Sequence, residues 1–240
     1  MLLQNRTAIV HGASGAIGSE VARAYAREGA EVHLTGRTRA RLEDVAHRIG
    51  DGGGVAHVSV LDVMDRDAVE RHAAATAEQG GGIDVCFDAT FNDDVQGTPL
   101  IDMPIGDVMQ PVAKAVTSTF TVATASARHM VERGSGVILA MGGGREAIPK
   151  LGGSHVAWAA LAGLCRTLAA ELGPRGVRVA WLLSPGSPKP GEPDPEADDL
   201  LLPRRPSYPD VANAAVFAAS DWAATMTATE INLTGGAVVD

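Results

Sequence analysis

Apolar positions along the chain follow two alternating periods. Short runs rich in β-branched and aliphatic residues predict strands buried on both faces: Thr7–His11, Glu31–Thr35, Val55–Leu61, Ile83–Ala89, Gly136–Met141 and Val177–Leu183, with a last short one at Glu230–Leu233. Between them lie stretches of helical period. One opens after a Gly-rich turn and runs to about Glu28. Arg39–Ile49 carries Leu42, Val45, Ala46 and Ile49 on one face. Asp65 or Arg66 opens the next, to about Gln79. Ile105–Arg133 holds helical material as one helix or two, Ser154–Leu172 is a long apolar helix stopped by Gly173–Pro174, and Val211–Ala224 is the last. Pro185–Pro209 holds eight prolines and a cluster of acids, and reads as a loop. Strands alternating with helices predict an α/β fold: a single-domain Rossmann-like, doubly wound parallel sheet of about seven strands with helices on both faces, spanning residues 1–240.

Composition narrows the partners. Apolar residues make up 45% of the 240, enough for a sizeable core, and the net charge is −9 with no long run of one sign. That argues against nucleic acid and anionic membrane surfaces. The segment MLLQNRTAIV lacks a basic region ahead of a long apolar one, and no stretch has ~18 uninterrupted apolar residues, so neither a signal peptide nor a membrane span is expected. Cys86 and Cys165 sit inside apolar runs as reduced thiols, which fits a cytoplasmic protein. The sequence has no His/Cys/Asp/Glu set with metal-ligand spacing and no nucleophile elbow.

Chemistry first shows at the junction of the first strand and helix, His11-Gly12-Ala13-Ser14-Gly15-Ala16-Ile17-Gly18. Glycines there let the backbone approach a pyrophosphate, and the helix that follows offers free N–H groups. After the second strand, where NAD sites place an acid against the ribose 2′-hydroxyl, the chain reads Thr35-Gly36-Arg37. Arg37 can meet a 2′-phosphate, so NADP(H) is the expected cofactor over NAD(H).

These residues resemble the short-chain dehydrogenase/reductase family over nearly the whole chain. Gly12–Gly18 is similar to its T-G-x-x-x-G-x-G motif, with His11 for the Thr and Ala16 for the middle Gly. Leu61-Asp62-Val63 resembles the adenine-contacting pair, Ser184-Pro185-Gly186 the turn near the nicotinamide, and Leu233-Thr234-Gly235-Gly236 a C-terminal landmark. The resemblance implies a cofactor site at Gly12, Ser14, Gly15, Ile17, Gly18, Arg37, Asp62, Val63, Ala89, Pro185 and Gly186. It also implies a small-molecule substrate and a substrate lid over about 186–209. Assembly as a homodimer or homotetramer would run through the Ala-rich helices Thr117–Arg133 and Ser154–Leu172.

The family's catalytic residues do not carry over. Counting back from Leu161-Ala162-Gly163-Leu164, the Tyr position is Ser154 and the Lys position is Trp158. The strand end that should hold Ser reads Met141-Gly142-Gly143-Gly144, and the Asn position falls on Ala115. The chain has two tyrosines, Tyr25 and Tyr208, and three lysines, Lys114, Lys150 and Lys189. None forms Tyr-x-x-x-Lys. Ser154 can orient a substrate or a water, while Trp158 either stacks on a flat ring or fills the space a Lys vacates. His155 suits proton transfer by its ordinary pKa, although its place about 100° round the helix from Ser154 points it toward a neighbour. Asp88 ends the fourth strand, at the sheet edge where α/β proteins bind ligands. Lys150 and Arg145 precede the long helix, in reach of an anionic substrate. Three functions follow: an NADP(H) oxidoreductase moving hydride without a Tyr acid; a cofactor-independent dehydratase, isomerase or cyclase; or a nucleotide-binding protein without turnover.

Overall fold

The structure, a computed structural model, describes residues 1–90, 93–145, 148–184 and 200–239. Its strands are β1 (Thr7–His11), β2 (Glu31–Gly36), β3 (Val55–Val60), β4 (Val85–Asp88), β5 (Gly136–Gly142), β6 (Val177–Leu183) and β7 (Thr229–Asn232). Its helices are α1 (Ala16–Arg27), α2 (Arg39–Asp51), α3 (Arg66–Gly80), α4 (Ile105–Arg133), α5 (Ser154–Leu172) and α6 (Tyr208–Ala219). All strand pairs are parallel, in the order β3-β2-β1-β4-β5-β6-β7. The expected parallel sheet is therefore present, and its order reverses direction between β1 and β4.

Alternation along each strand feeds two cores. Val10, Leu34 and Leu139 face α1, α2 and α6, where Tyr25, Leu42 and Val211 are buried. Ile9, Cys86 and Ile138 face α3, α4 and α5, where Val69, Val122 and Leu161 close the second core. Burial pushes both free thiols up to about 12, which keeps them protonated and unreactive.

One open alternative is settled and three expectations change. Ile105–Arg133 is one helix, although Pro111 lies inside it. Proline removes one backbone bond from the helix, but its ring packs against Gly153, where an added Cβ would fall 2.8 Å from Pro111 Cγ. The last helix begins at Tyr208, so the loop expected through Pro209 ends at Ser207. Ser207 and Asp210 form a reciprocal capping box, and Pro209 sits in the first turn, where its missing N–H costs nothing. That helix stops at Ala219 instead of Ala224, because Ser220 caps a separate turn over Asp221–Ala223. β4 starts at Val85, and the Asp84 side chain just before it accepts from Thr7 N at 2.8 Å and pairs with Arg6 and Arg133.

Ser154–Arg175 is, among the described residues, the segment long and apolar enough to cross a membrane, with a mean hydropathy of 1.2. It lies against α4 and β6, and its apolar positions Leu161, Cys165 and Leu168 are buried in the second core.

The same face carries four histidines. His33 and His57 are paired across β2 and β3 with stacked rings, and His72 of α3 meets the rings of both His11 and His33. Burial lowers His11 to about 3 and His33 and His72 to about 4.

Candidate functional site

The β1–α1 turn is built by steric necessity. Gly12 has φ +72°, and a Cβ there would meet Ala89 O at 2.6 Å. A Cβ at Gly18 would meet Gly12 O at 2.3 Å, so the first turn of α1 lies hard against the loop. Gly15 is the N-cap of α1 with no capping side-chain bond, and the first turn holds no acid. A Cβ at Gly15 would touch nothing but Gly12 O, at 3.3 Å. The first N–H groups of α1 thus face open space at the positive end of the helix dipole, a cradle that fits a pyrophosphate. Ser14 and Ile17 flank it, half-buried.

Around this turn the other expected residues converge. Ala89 N donates to His11 O at 3.0 Å, joining β4 to the turn. Arg37 follows β2, exposed, with no hydrogen bond or ion pair among the described residues, and a Cβ added at Gly36 beside it would fall 3.4 Å from Ser14 Oγ. Asp62 caps the turn after β3 by accepting from Met64 N at 3.0 Å, and Val63 is buried behind it. These positions surround the carboxyl edge of the sheet between β1 and β4, where strand order reverses and α/β sheets bind nucleotides. Pro185 and Gly186 lie outside the described residues, as does the lid over 186–199. Of the rest of the lid, Leu202 N donates to Gly235 O at 2.9 Å, while Leu201 and Leu202 expose their side chains.

A polar cluster at the start of α5 is assembled from three segments. Ser154, 2% exposed, opens α5, and its Oγ donates to the Asp94 carboxylate on the loop after β4. Gln96 Nε2 donates to the same carboxylate at 2.6 Å and reaches Ser154 Oγ at 3.4 Å. Lys114 of α4, largely buried, pairs with Asp93. Trp158 packs directly on Gly143, where an added Cβ would fall 2.1 Å from ring atom Cε2. The indole therefore lies against the chain just past the β5 end. Thr90 Oγ1 and Ser184 Oγ are buried without a partner among the described residues, at the ends of β4 and β6. Such hydroxyls fit a polar ligand at this edge.

The remaining candidates have other engagements. Asp88 is buried, and both its oxygens are used: Oδ2 accepts from Thr119 Oγ1 at 2.8 Å and Oδ1 from Thr90 N at 3.0 Å. It fixes the loop that follows β4. His155 leans on Trp158, with ring centroids 5.4 Å apart. Arg145 is held by Glu230, which also accepts from Trp181 Nε1 at 2.8 Å.

Asp93, Asp94 and Lys114 were not among the expected site residues. A signal was present: two adjacent acids just past the fourth strand, and one of only three lysines on a helix with few charges. The reach of Asp94 to Ser154 across 60 residues, and of Lys114 to Asp93, is a tertiary fact.

The chain is similar to known proteins along its whole length. The family model described as enoyl-(acyl carrier protein) reductase matches residues 12–238. A D-threitol dehydrogenase of Mycolicibacterium smegmatis is 31% identical over 246 residues, which covers 98% of this chain and 93% of that protein. A short-chain type dehydrogenase/reductase from Mycobacterium marinum superposes with a TM-score of 0.88 at 27% identity, over 99% of this chain and 97% of the other. A short chain dehydrogenase from Burkholderia cenocepacia, in complex with NADP, superposes with a TM-score of 0.86 at 26% identity, over 99% of each chain.

Proposed function

The chain belongs to the short-chain dehydrogenase/reductase family of oxidoreductases, and from that premise we propose that it is an NADP(H)-dependent enzyme with a non-standard active site, acting on a small organic alcohol or carbonyl compound. The observation that carries this reading is the glycine cradle at the uncapped α1 terminus with Arg37 beside it. Gly12, Ser14, Gly15, Ile17 and Gly18 would hold the pyrophosphate side, Arg37 the 2′-phosphate, Asp62 and Val63 the adenine, and Ala89 with Thr90 and Ser184 the nicotinamide end. The NADP complex of the Burkholderia relative supports the cofactor choice.

When bound, the nicotinamide supplies the hydride donor or acceptor. The chain's own part is the proton. Ser154 Oγ donates to Asp94 and is reached by Gln96 Nε2, so one lone pair remains for a substrate hydroxyl. A proton leaving that hydroxyl passes to Ser154 Oγ as the Ser154 proton passes to the Asp94 carboxylate. This relay takes the place of the Tyr and favours alcohol oxidation, since a carboxylate is a proton acceptor. The D-threitol dehydrogenase relative is consistent with a hydroxylated substrate. The outer faces of α4 and α5, where Phe120 and Val156 are exposed, would join copies into a dimer or tetramer.

Two measurements test this reading. Titration with NADPH and NADH should show tighter binding of NADPH, and Arg37→Ala should weaken NADPH by roughly 10–100-fold while leaving NADH unchanged, the scale of a lost charge-assisted contact. Binding of neither cofactor would overturn the proposal. Asp94→Asn should lower kcat for alcohol oxidation by about 10²–10⁴-fold with NADPH affinity intact, and an unchanged kcat removes Asp94 from the proton path. A second reading, a nucleotide-binding member without turnover, draws on the Trp158–Gly143 packing, which fills the Lys position. NADPH binding without turnover across alcohol, ketone and enone panels would select it.

A further inference from the structure

Beneath α3 the sheet holds side chains that the cofactor cradle and substrate end leave unused. Glu31 and His33 sit two apart on β2 and share a face, and His57 is the residue paired with His33 on β3. One donor atom from each lies within 4.8 Å of the others. The two rings stack with centroids 4.7 Å apart, and His57 Nε2 is 2.6 Å from Glu31 Oε1. His33 is 3% exposed. Its Nδ1 lies 3.4 Å from Thr76 Oγ1, and its Nε2 has no partner among the described residues. Both nitrogens of neighbouring His72 are also buried without partners. Unpartnered buried nitrogens are rare in folded proteins, and a bound ion is one of the few things that accounts for a group of them.

We propose that Glu31, His33 and His57 bind one borderline transition-metal ion, zinc first, which ties the edge strand β3 to β2. Two imidazoles and one carboxylate are a zinc donor set that leaves the fourth position to water. Magnesium and calcium prefer oxygen ligands alone. A tetrahedral ion with bonds of about 2.0–2.1 Å needs donors roughly 3.4 Å apart. Glu31 and His57 are half-exposed, so small side-chain rotations close that gap without moving the backbone. Thr76 holds the far nitrogen of His33, as outer hydroxyls orient ligating rings. The ion takes the place of the His57–Glu31 hydrogen bond and gives β3, exposed at both ends, a second tie to the sheet. The site lies at the end of β2 opposite Arg37, so it stands or falls independently of the cofactor reading.

The test uses the intact chain, stripped of metal by a chelator and titrated with Zn²⁺ by calorimetry. About one ion per chain should bind and raise the thermal unfolding midpoint, and Co²⁺ should give the visible absorption of a tetrahedral nitrogen–oxygen site. His57→Ala and Glu31→Gln, both at half-exposed positions, should each weaken Zn²⁺ at least tenfold. His47→Ala, an exposed histidine on α2, should leave binding intact. Failure of the parent chain to bind, or equal binding by His57→Ala, overturns the proposal.

Discussion

Gly143 and Trp158 exclude alternatives at each other's position. With the indole Cε2 2.1 Å from where a Cβ would stand, no side chain fits at 143 unless the ring moves. Any side chain larger than glycine at 143 and the indole at 158 are thus coupled. Gly143→Ser should cost about 1–3 kcal/mol through overpacking. In combination with Trp158→Ala, the loss should fall short of the sum by at least about 1 kcal/mol, measured as a double-mutant cycle in urea. Additivity of the two would show that the contact carries no strain. The same coupling limits substitution of Trp158 by Lys, since the Lys would enter a space shaped around an indole.

At the scale of elements, start and stop chemistry decided what periodicity left open. Ser207-Tyr208-Pro209-Asp210 spells a helix start: the N-cap hydroxyl accepts from Asp210 N, and the Asp210 carboxylate accepts from Ser207 N at 2.8 Å. The proline count of the preceding segment masked this signal and drew the expected loop through Pro209. Arg204 and the Ser207 groups hold Asp210 well below the usual carboxylate range. Ser207→Ala should destabilise the chain by about 1 kcal/mol, seen as a lower urea midpoint at unchanged slope. Pro111 shows the opposite case. Proline lacks the N–H of a helix interior, yet α4 continues through Pro111, whose ring lies beside Gly153.

For the molecule as a whole, the buried histidines tie stability to pH. His11 lies between β2 and β4 and faces Thr35, with Nδ1 2.8 Å from Oγ1, while His72 of α3 and the paired Asp88 of β4 are its titratable neighbours. Burial lowers it from 6.5 to about 3. Below 6.5 the unfolded chain therefore takes up a proton that the folded chain refuses. Its contribution is complete above that pH and is lost as pH falls toward 3. Between pH 6.5 and 4.5, above most carboxylate titration, unfolding free energy should drop by about 2 kcal/mol from His11 alone. His11→Thr should flatten that slope, and an unchanged slope would assign the loss elsewhere.

The strands, the helices and their parallel winding were legible in one dimension, because burial on both faces of a strand and on one stripe of a helix leaves a period in the sequence. The Gly12–Gly18 turn, Arg37 beyond β2 and the absence of Tyr-x-x-x-Lys were legible too, since each depends only on residue type and local spacing. The sequence by itself determined a Rossmann-like α/β fold and the absence of any Tyr-x-x-x-Lys spacing. Only the tertiary structure decided which distant residues meet. Asp94 reaches Ser154, Trp158 lies on Gly143, and His57 stacks on His33 because register and loop packing bring together residues that no local period relates.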